Sequence, residues 1–185
     1  MLIVLGLCLA ASAADKPVDN PRVVLDTSKG KIVLELYLQK APETVVNFLS
    51  YVDAKFYDGT IFHRVIPNFM IQGGGFTADM QRKPVKGPIK NEADKGLKNV
   101  RGTIAMARTG DPHSATAQFF INSINNDFLD HKNKTQQGWG YAAFGKVIEG
   151  MNVVDAISAV KTTKKGSYRD VPDEAVIIVS AKRLQ

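Results

Sequence analysis

Along RVVLDTSKGKIVLELYL, apolar and polar residues alternate with a period of two, which predicts two strands around a TSKG turn. In the second strand Ile32, Leu34, Leu36 and Leu38 form one strongly apolar face, opposite Lys31, Val33, Glu35 and Tyr37. The period then changes. In APETVVNFLSYVDAKFY, Val45, Phe48, Leu49 and Val52 recur at helical spacing, and Pro42 with Glu43 suits a first helical turn. Short β-prone runs follow: IFHRVI, FMIQGG, GTIAMA, AQFFINS and AAFGKVI. GMNVVDAISAV returns to helical spacing through Val153, Val154, Ile157 and Val160, and VPDEAVIIVSAKRL closes the chain as a strand. Long polar segments separate these runs, chiefly TADMQRKPVKGPIKNEADKGLKNVRG and INNDFLDHKNKTQQGWG. Loops of this length are uncommon and often functional. Many short strands, two helices and no regular βαβ alternation predict a mainly β domain: a closed or nearly closed antiparallel sheet capped by helices.

The N-terminus departs from this pattern. MLIVLGLCLAASAADKP runs from an apolar stretch through ASA-A to polar residues, the form of a secretory signal cleaved after Ala13 or Ala14. It is too short to span a bilayer, which takes ~20 apolar residues. No Lys or Arg precedes the apolar run, so the terminal amine is its only positive charge. The division expected is a signal peptide over 1–14, a polar linker over 15–21 and one domain over 22–185, in a periplasmic or secreted protein. Cys8, the single cysteine, lies in the leader, so the mature chain has no cysteine nucleophile and no thiolate metal site.

At 185 residues, 44% hydrophobic and 23% charged, the chain has the length and composition of one globular domain. Its formal charge of +6 does not by itself imply nucleic acid, because Lys and Arg are spread along the chain and KTTKK (161–165) is the one short cluster. A solvated basic surface is the expectation, with no nucleic-acid partner and no membrane contact after cleavage.

Familiar catalytic patterns are missing. The histidines are His63, His113 and His131, none at metal spacing, and no GxSxG elbow occurs. The glycines at 73–75 precede no GK[ST]. His63, alone in a strand, reads as a packed structural residue. In FHRVIPNFMIQGG, Arg64 and Gln72 are the polar residues out of place. IPNF favours a tight turn through Pro67 and Asn68. With a plain two-residue turn, Arg64 would share a face with Ile71 while Gln72 took the other face. Bringing both to one site requires a wider connection or a bulge. Taken alone, Arg64 also fits a strand-end arginine reaching into water. AQFFINS is simpler: alternation places Gln118 and Phe120 on one face, and Phe119 and Ile121 on the other.

FHRVIPNFMIQGG, GTIAMA, HSATAQFFIN, DFLD and YAAFGKV, in that order, resemble the cyclophilin-type peptidyl-prolyl cis-trans isomerases over about Val23 to Leu184. HSATAQFFIN and QQGWGYAAFG resemble the bacterial, often exported, branch. The resemblance implies an eight-stranded antiparallel β-barrel closed by two helices, and an isomerase acting on Xaa-Pro bonds of folding proteins without cofactor or metal. It implies Arg64 as the catalytic residue, a buried guanidinium beside an apolar cup, with Gln72 as its neighbour. Phe69, Met70, Phe120 and Leu129 would line the proline pocket, and Ala107, Arg108 and Gln118 the groove for the peptide backbone. Phe128 stands where the eukaryotic pattern has Trp, Tyr141 where it has His, and Arg108 where it has Asn. Phe128 lacks an indole N–H, so weak binding of cyclosporin-type ligands is expected. Implied partners are proline-containing peptides and unfolded or folding proteins, with the chain a monomer. The competing readings are a non-catalytic peptide-binding module on the same scaffold and an RNA-associated protein using the basic charge.

Overall fold

A computed structural model describes residues 20–95 and 97–184. The expected leader and most of the linker lie outside them. The barrel strands are β1 (Arg22–Thr27), β2 (Gly30–Leu36), β3 (Thr60–Ile66), β4 (Met70–Thr77), β5 (Thr103–Met106), β6 (Phe119–Asn122), β7 (Ala143–Glu149) and β10 (Ile177–Leu184). They close in the order β1-β10-β3-β4-β6-β5-β7-β2 with antiparallel pairing throughout. The mainly β, closed eight-stranded barrel is therefore the architecture present. Helices α1 (Pro42–Asp53) and α2 (Met151–Ser158) pack against it.

The core follows from the alternation. Ile32, Leu34 and Leu36 are fully buried, as are Val45 and Phe48 on α1 and Val154 and Ile157 on α2. Phe48 meets Phe119 edge-on at 5.6 Å and Phe144 at 5.2 Å, so the helix plugs the barrel with aromatic contacts. Helix α1 begins without a capping side chain of its own, since its N-cap is Ala41. The distant Glu92 supplies the acceptor instead: Thr44 donates to Oε2 from its backbone N–H at 2.9 Å and from its hydroxyl at 2.8 Å.

One element was not expected. Residues 162–172, the region of the basic cluster, form a hairpin of β8 (Thr162–Lys165) and β9 (Tyr168–Pro172) outside the barrel. It packs on β3 and is anchored by buried Val171 and by Tyr168, whose ring meets Phe76 edge-on at 5.1 Å. The final strand consequently starts at Ile177 rather than at Val171.

The long polar segments stay mostly irregular and are pinned by asparagines. Asn91 donates to the Gly140 carbonyl at 3.0 Å, and Asn99 donates to the carbonyls of Leu129 and Tyr141. Asn126 donates to the Phe69 carbonyl at 2.9 Å and to Asn122 Oδ1 at 2.7 Å. Buried amides thus satisfy loop backbone that would otherwise be left unpaired.

Candidate active site

The β3–β4 connection resolves the phase difficulty at Arg64 and Gln72. Pro67, Asn68 and Phe69 separate strands paired Ile66 to Met70, Val65 to Ile71 and Arg64 to Gln72. The connection is one residue wider than a plain hairpin turn, so Arg64 and Gln72 stand directly opposite each other on one face. Asn68 takes the left-handed conformation expected of it, with φ 56. A bulge follows, because Phe62 pairs with Gly73 while Arg64 pairs with Gln72. His63 is the extra residue, and the bulge lets Phe62 enter the core while Arg64 faces the site.

Next along the sheet, β6 pairs with β4, setting Phe120 opposite Gln72 and Ile121 opposite Ile71. Phe119 and Ile121 fill the main core, whereas Phe120 belongs to a separate apolar cluster with Met70, Ala105, Leu129 and Ala143. The face assignment from alternation holds. Met70, Phe120 and Leu129 of that cluster form the floor of a cleft of about 120 Å³. Arg64, Gln72, Phe69, Ala107, Arg108 and Tyr141 complete its walls. This is far smaller than the ~300–1,000 Å³ of typical small-molecule sites, and suits one side chain inserted from a longer ligand.

The polar groups form a line along one wall. Arg64 Nη1 donates to Gln72 Oε1 at 3.4 Å, and Gln72 Nε2 donates to Gln118 Oε1 at 3.1 Å. Gln118 lies in an adjoining cleft of about 210 Å³ that also takes in Arg82, Ser114 and Thr116 and shares Gln72, Ala107 and Arg108 with the first. Gly75 makes this arrangement possible, since a Cβ there would come within 2.5 Å of the Gln118 side chain. Arg108 donates through Nε to the Gly140 carbonyl at 3.0 Å and lies over the Tyr141 ring at 4.5 Å. Tyr141 meets Phe120 edge-on at 5.7 Å, so it serves as an aromatic wall. Phe128 is 63% exposed at the rim and stacks on Phe69 at 5.5 Å.

Arg64, Phe69, Met70, Gln72, Ala107, Arg108, Phe120, Leu129 and Tyr141 line the first cleft, Gln118 lies in the adjoining one, and Phe128 stands beside Phe69; the expected burial of Arg64 is corrected. Arg64 was expected to be buried, but its side chain is 42% exposed, and its Nε lies 3.8 Å from a carboxylate oxygen of Asp170 on β9. The guanidinium is left partly in solvent, with the β8–β9 hairpin packed on β3 beside it. Sequence reasoning missed Asp170, Arg82 and Gly75. Of these, only the glycine run carried a visible signal.

Behind the site, His63 is buried against Phe76 at 4.6 Å. Its Nδ1 has no hydrogen-bond partner among the described residues. Burial, opposed in part by the Ile61 carbonyl, pushes its pKa down to about 4. It is therefore a neutral packed residue, as its isolation in a strand suggested. No group of three or more His, Cys, Asp or Glu among the described residues could hold a metal.

Residues 22–183 match the family described as cyclophilin type peptidyl-prolyl cis-trans isomerase/CLD. The chain is 63% identical to peptidyl-prolyl cis-trans isomerase cyp18 of Streptomyces antibioticus, covering 88% of this chain and 98% of that one. It is 58% identical to peptidyl-prolyl cis-trans isomerase B of Escherichia coli, covering 85% and 96%. The crystal structure of a cyclophilin type peptidyl-prolyl cis-trans isomerase of Cryptosporidium parvum superposes with a TM-score of 0.72 at 25% identity, covering 90% and 98%. A second crystal structure of that protein, in the presence of the dipeptide Ala-Pro, gives 0.71 at 25% identity, covering 89% and 99%. With a family match spanning nearly every described residue and a barrel shared with its relatives, the chain belongs to the cyclophilin-type peptidyl-prolyl cis-trans isomerases and is an enzyme of that activity.

Proposed function

We propose that the chain isomerises Xaa-Pro bonds by seating the proline ring on Met70, Phe120 and Leu129 and presenting the Arg64 guanidinium to the twisting amide. The observation that carries this reading is the Arg64–Gln72–Gln118 line running along one wall of an apolar cup. Rotation about an amide is opposed by ~18–20 kcal/mol of resonance, and uncatalysed exchange at proline takes tens of seconds. In the twisted state conjugation is lost and the proline nitrogen becomes a better acceptor. A fixed donor aimed at it then stabilises the transition state more than either planar isomer. Arginine suits this role because it remains charged at any working pH and offers a planar set of N–H donors.

Arg64 does not suffice alone. Reaching the millisecond range takes roughly 10⁴-fold, on the order of 6 kcal/mol, whereas one preorganised donor supplies ~3–4 kcal/mol. The apolar floor and the peptide held along Gln72, Ala107, Arg108 and Gln118 supply the rest, by excluding water and fixing the flanks of the bond. Arg64→Ala is expected to lower kcat/KM about 10²–10³-fold in a cis-to-trans assay on a short Xaa-Pro peptide while the fold persists. A folded variant with an unchanged rate would overturn the role of Arg64.

Proline-containing peptides and folding proteins are the substrates under this reading, and the crystal structure of the Cryptosporidium protein with Ala-Pro supports that class. The exposed Phe128, with no indole donor at the rim, favours weak binding of cyclosporin-type ligands. The apolar run followed by ASA-A supports export and a role in folding proteins outside the cytoplasm, with the chain acting as a monomer. A mature protein beginning at Ala14 or Asp15, read by N-terminal sequencing, is the test of export.

A further inference from the structure

The hairpin of β8 and β9 contributes nothing to barrel closure, yet it brings a carboxylate to Arg64. Asp170 Oδ2 lies 3.8 Å from Arg64 Nε, on the edge of the guanidinium away from the Nη1 that Gln72 holds. The backbone at Asp170 is left-handed, with φ 60, inside a strand. Only glycine adopts that conformation without cost, and Asp and Asn are the side chains that tolerate it best. The adjoining residues fix the strand in place: Tyr168 packs against Phe76 and Val171 is 1% exposed. This left-handed residue falls where the β8–β9 register is irregular, between packed residues, with its carboxylate on the Arg64 side.

We infer that Asp170 is a positioning residue for Arg64: it holds the Nε edge so that the Nη edge stays turned toward the cup. A guanidinium 42% exposed would otherwise sample several rotamers, few of them facing the proline. The pair contributes little to stability, as exposed ion pairs generally do, so its effect falls on catalysis rather than on folding. The inference rests on Arg64 being the donor.

Asp170→Asn keeps the shape and the tolerance for positive φ but removes the charge, and Asp170→Gly removes the side chain while relieving the backbone. Both variants should keep the thermal midpoint and KM of the parent and lose about two- to fivefold in kcat, the range an exposed ion pair can supply. The ¹⁵N-resolved Nε–H resonance of Arg64 should shift in both, a change that loss of hairpin packing alone would not confine to that edge. In an Arg64→Ala background, Asp170→Asn should cause no further loss. If Arg64→Ala abolishes the rate but the Asp170 variants keep kcat and the Nε–H resonance, the positioning role is wrong and the donor stands. A rise in kcat would also overturn it, by showing that the carboxylate competes for the guanidinium. If Arg64→Ala itself leaves the rate intact, the donor assignment is the part that fails.

Discussion

His63 is adjacent in sequence to the proposed donor yet has a different task, and its burial sets a measurable pH dependence. In the unfolded chain it takes up a proton near the ordinary histidine pKa of 6.5, but in the fold only near about 4. Between those values the unfolded state binds more protons, so stability falls as pH drops from about 6.5 to about 4. The loss is on the order of 3 kcal/mol, at about 1.4 kcal/mol per pH unit. His63→Gln should flatten that part of a stability-versus-pH curve measured by urea denaturation. Above pH 7 both forms are neutral, and the dependence should vanish. The residues of the site were legible unequally. Alternation alone separated Gln118 and Phe120 from Phe119 and Ile121. For Arg64 and Gln72 it failed, because their shared face depends on a connection one residue wider than the tightest turn, and IPNF fits either width.

At the scale of elements, the start of α1 depends on a side chain far along the chain. Glu92 is 6% exposed and accepts from Thr44 and Lys95. Burial opposes its charge, but the donors of Thr44, Lys95 and Glu43 together hold its pKa below the ordinary carboxylate value. Its contribution is therefore present above the unfolded carboxylate pKa and is lost as pH falls through the lower folded value, a window more acidic than that of His63. Glu92→Ala should cost about 2 kcal/mol, or roughly 4–8 °C in Tm for a chain of this size, with helix α1 fraying first in hydrogen exchange. No local pattern announces such a cap, because its acceptor lies 48 residues from Thr44. The same holds for the asparagines that pin the polar loops. The β8–β9 hairpin escaped notice for another reason: KTTKK and SYRD are too polar for alternation to mark a buried face, and only Val171 and Pro172 are buried.

At the scale of the molecule, strands with one apolar face were enough to indicate a closed sheet, but not the order in which they close. β1 pairs with β10 in antiparallel register, Arg22 opposite Leu184, so these two strands are neighbours and the start of β1 lies beside the end of β10. A circular permutant that joins those ends by a short linker and opens the chain between Gly166 and Ser167, exposed at the tip of the hairpin, should keep the near-UV circular dichroism of the parent. Cutting there frees Asp170 from half its hairpin, so the permutant should resemble the Asp170 variants in activity.

The same neighbouring pair governs how the molecule is made. A ribosome delivers β1 first and the eight residues of β10 last, and until they emerge the strands on either side of the gap have open edges. The ring is finished only when its final segment is released. Until then β3, the strand that carries Arg64, keeps one side without its neighbour.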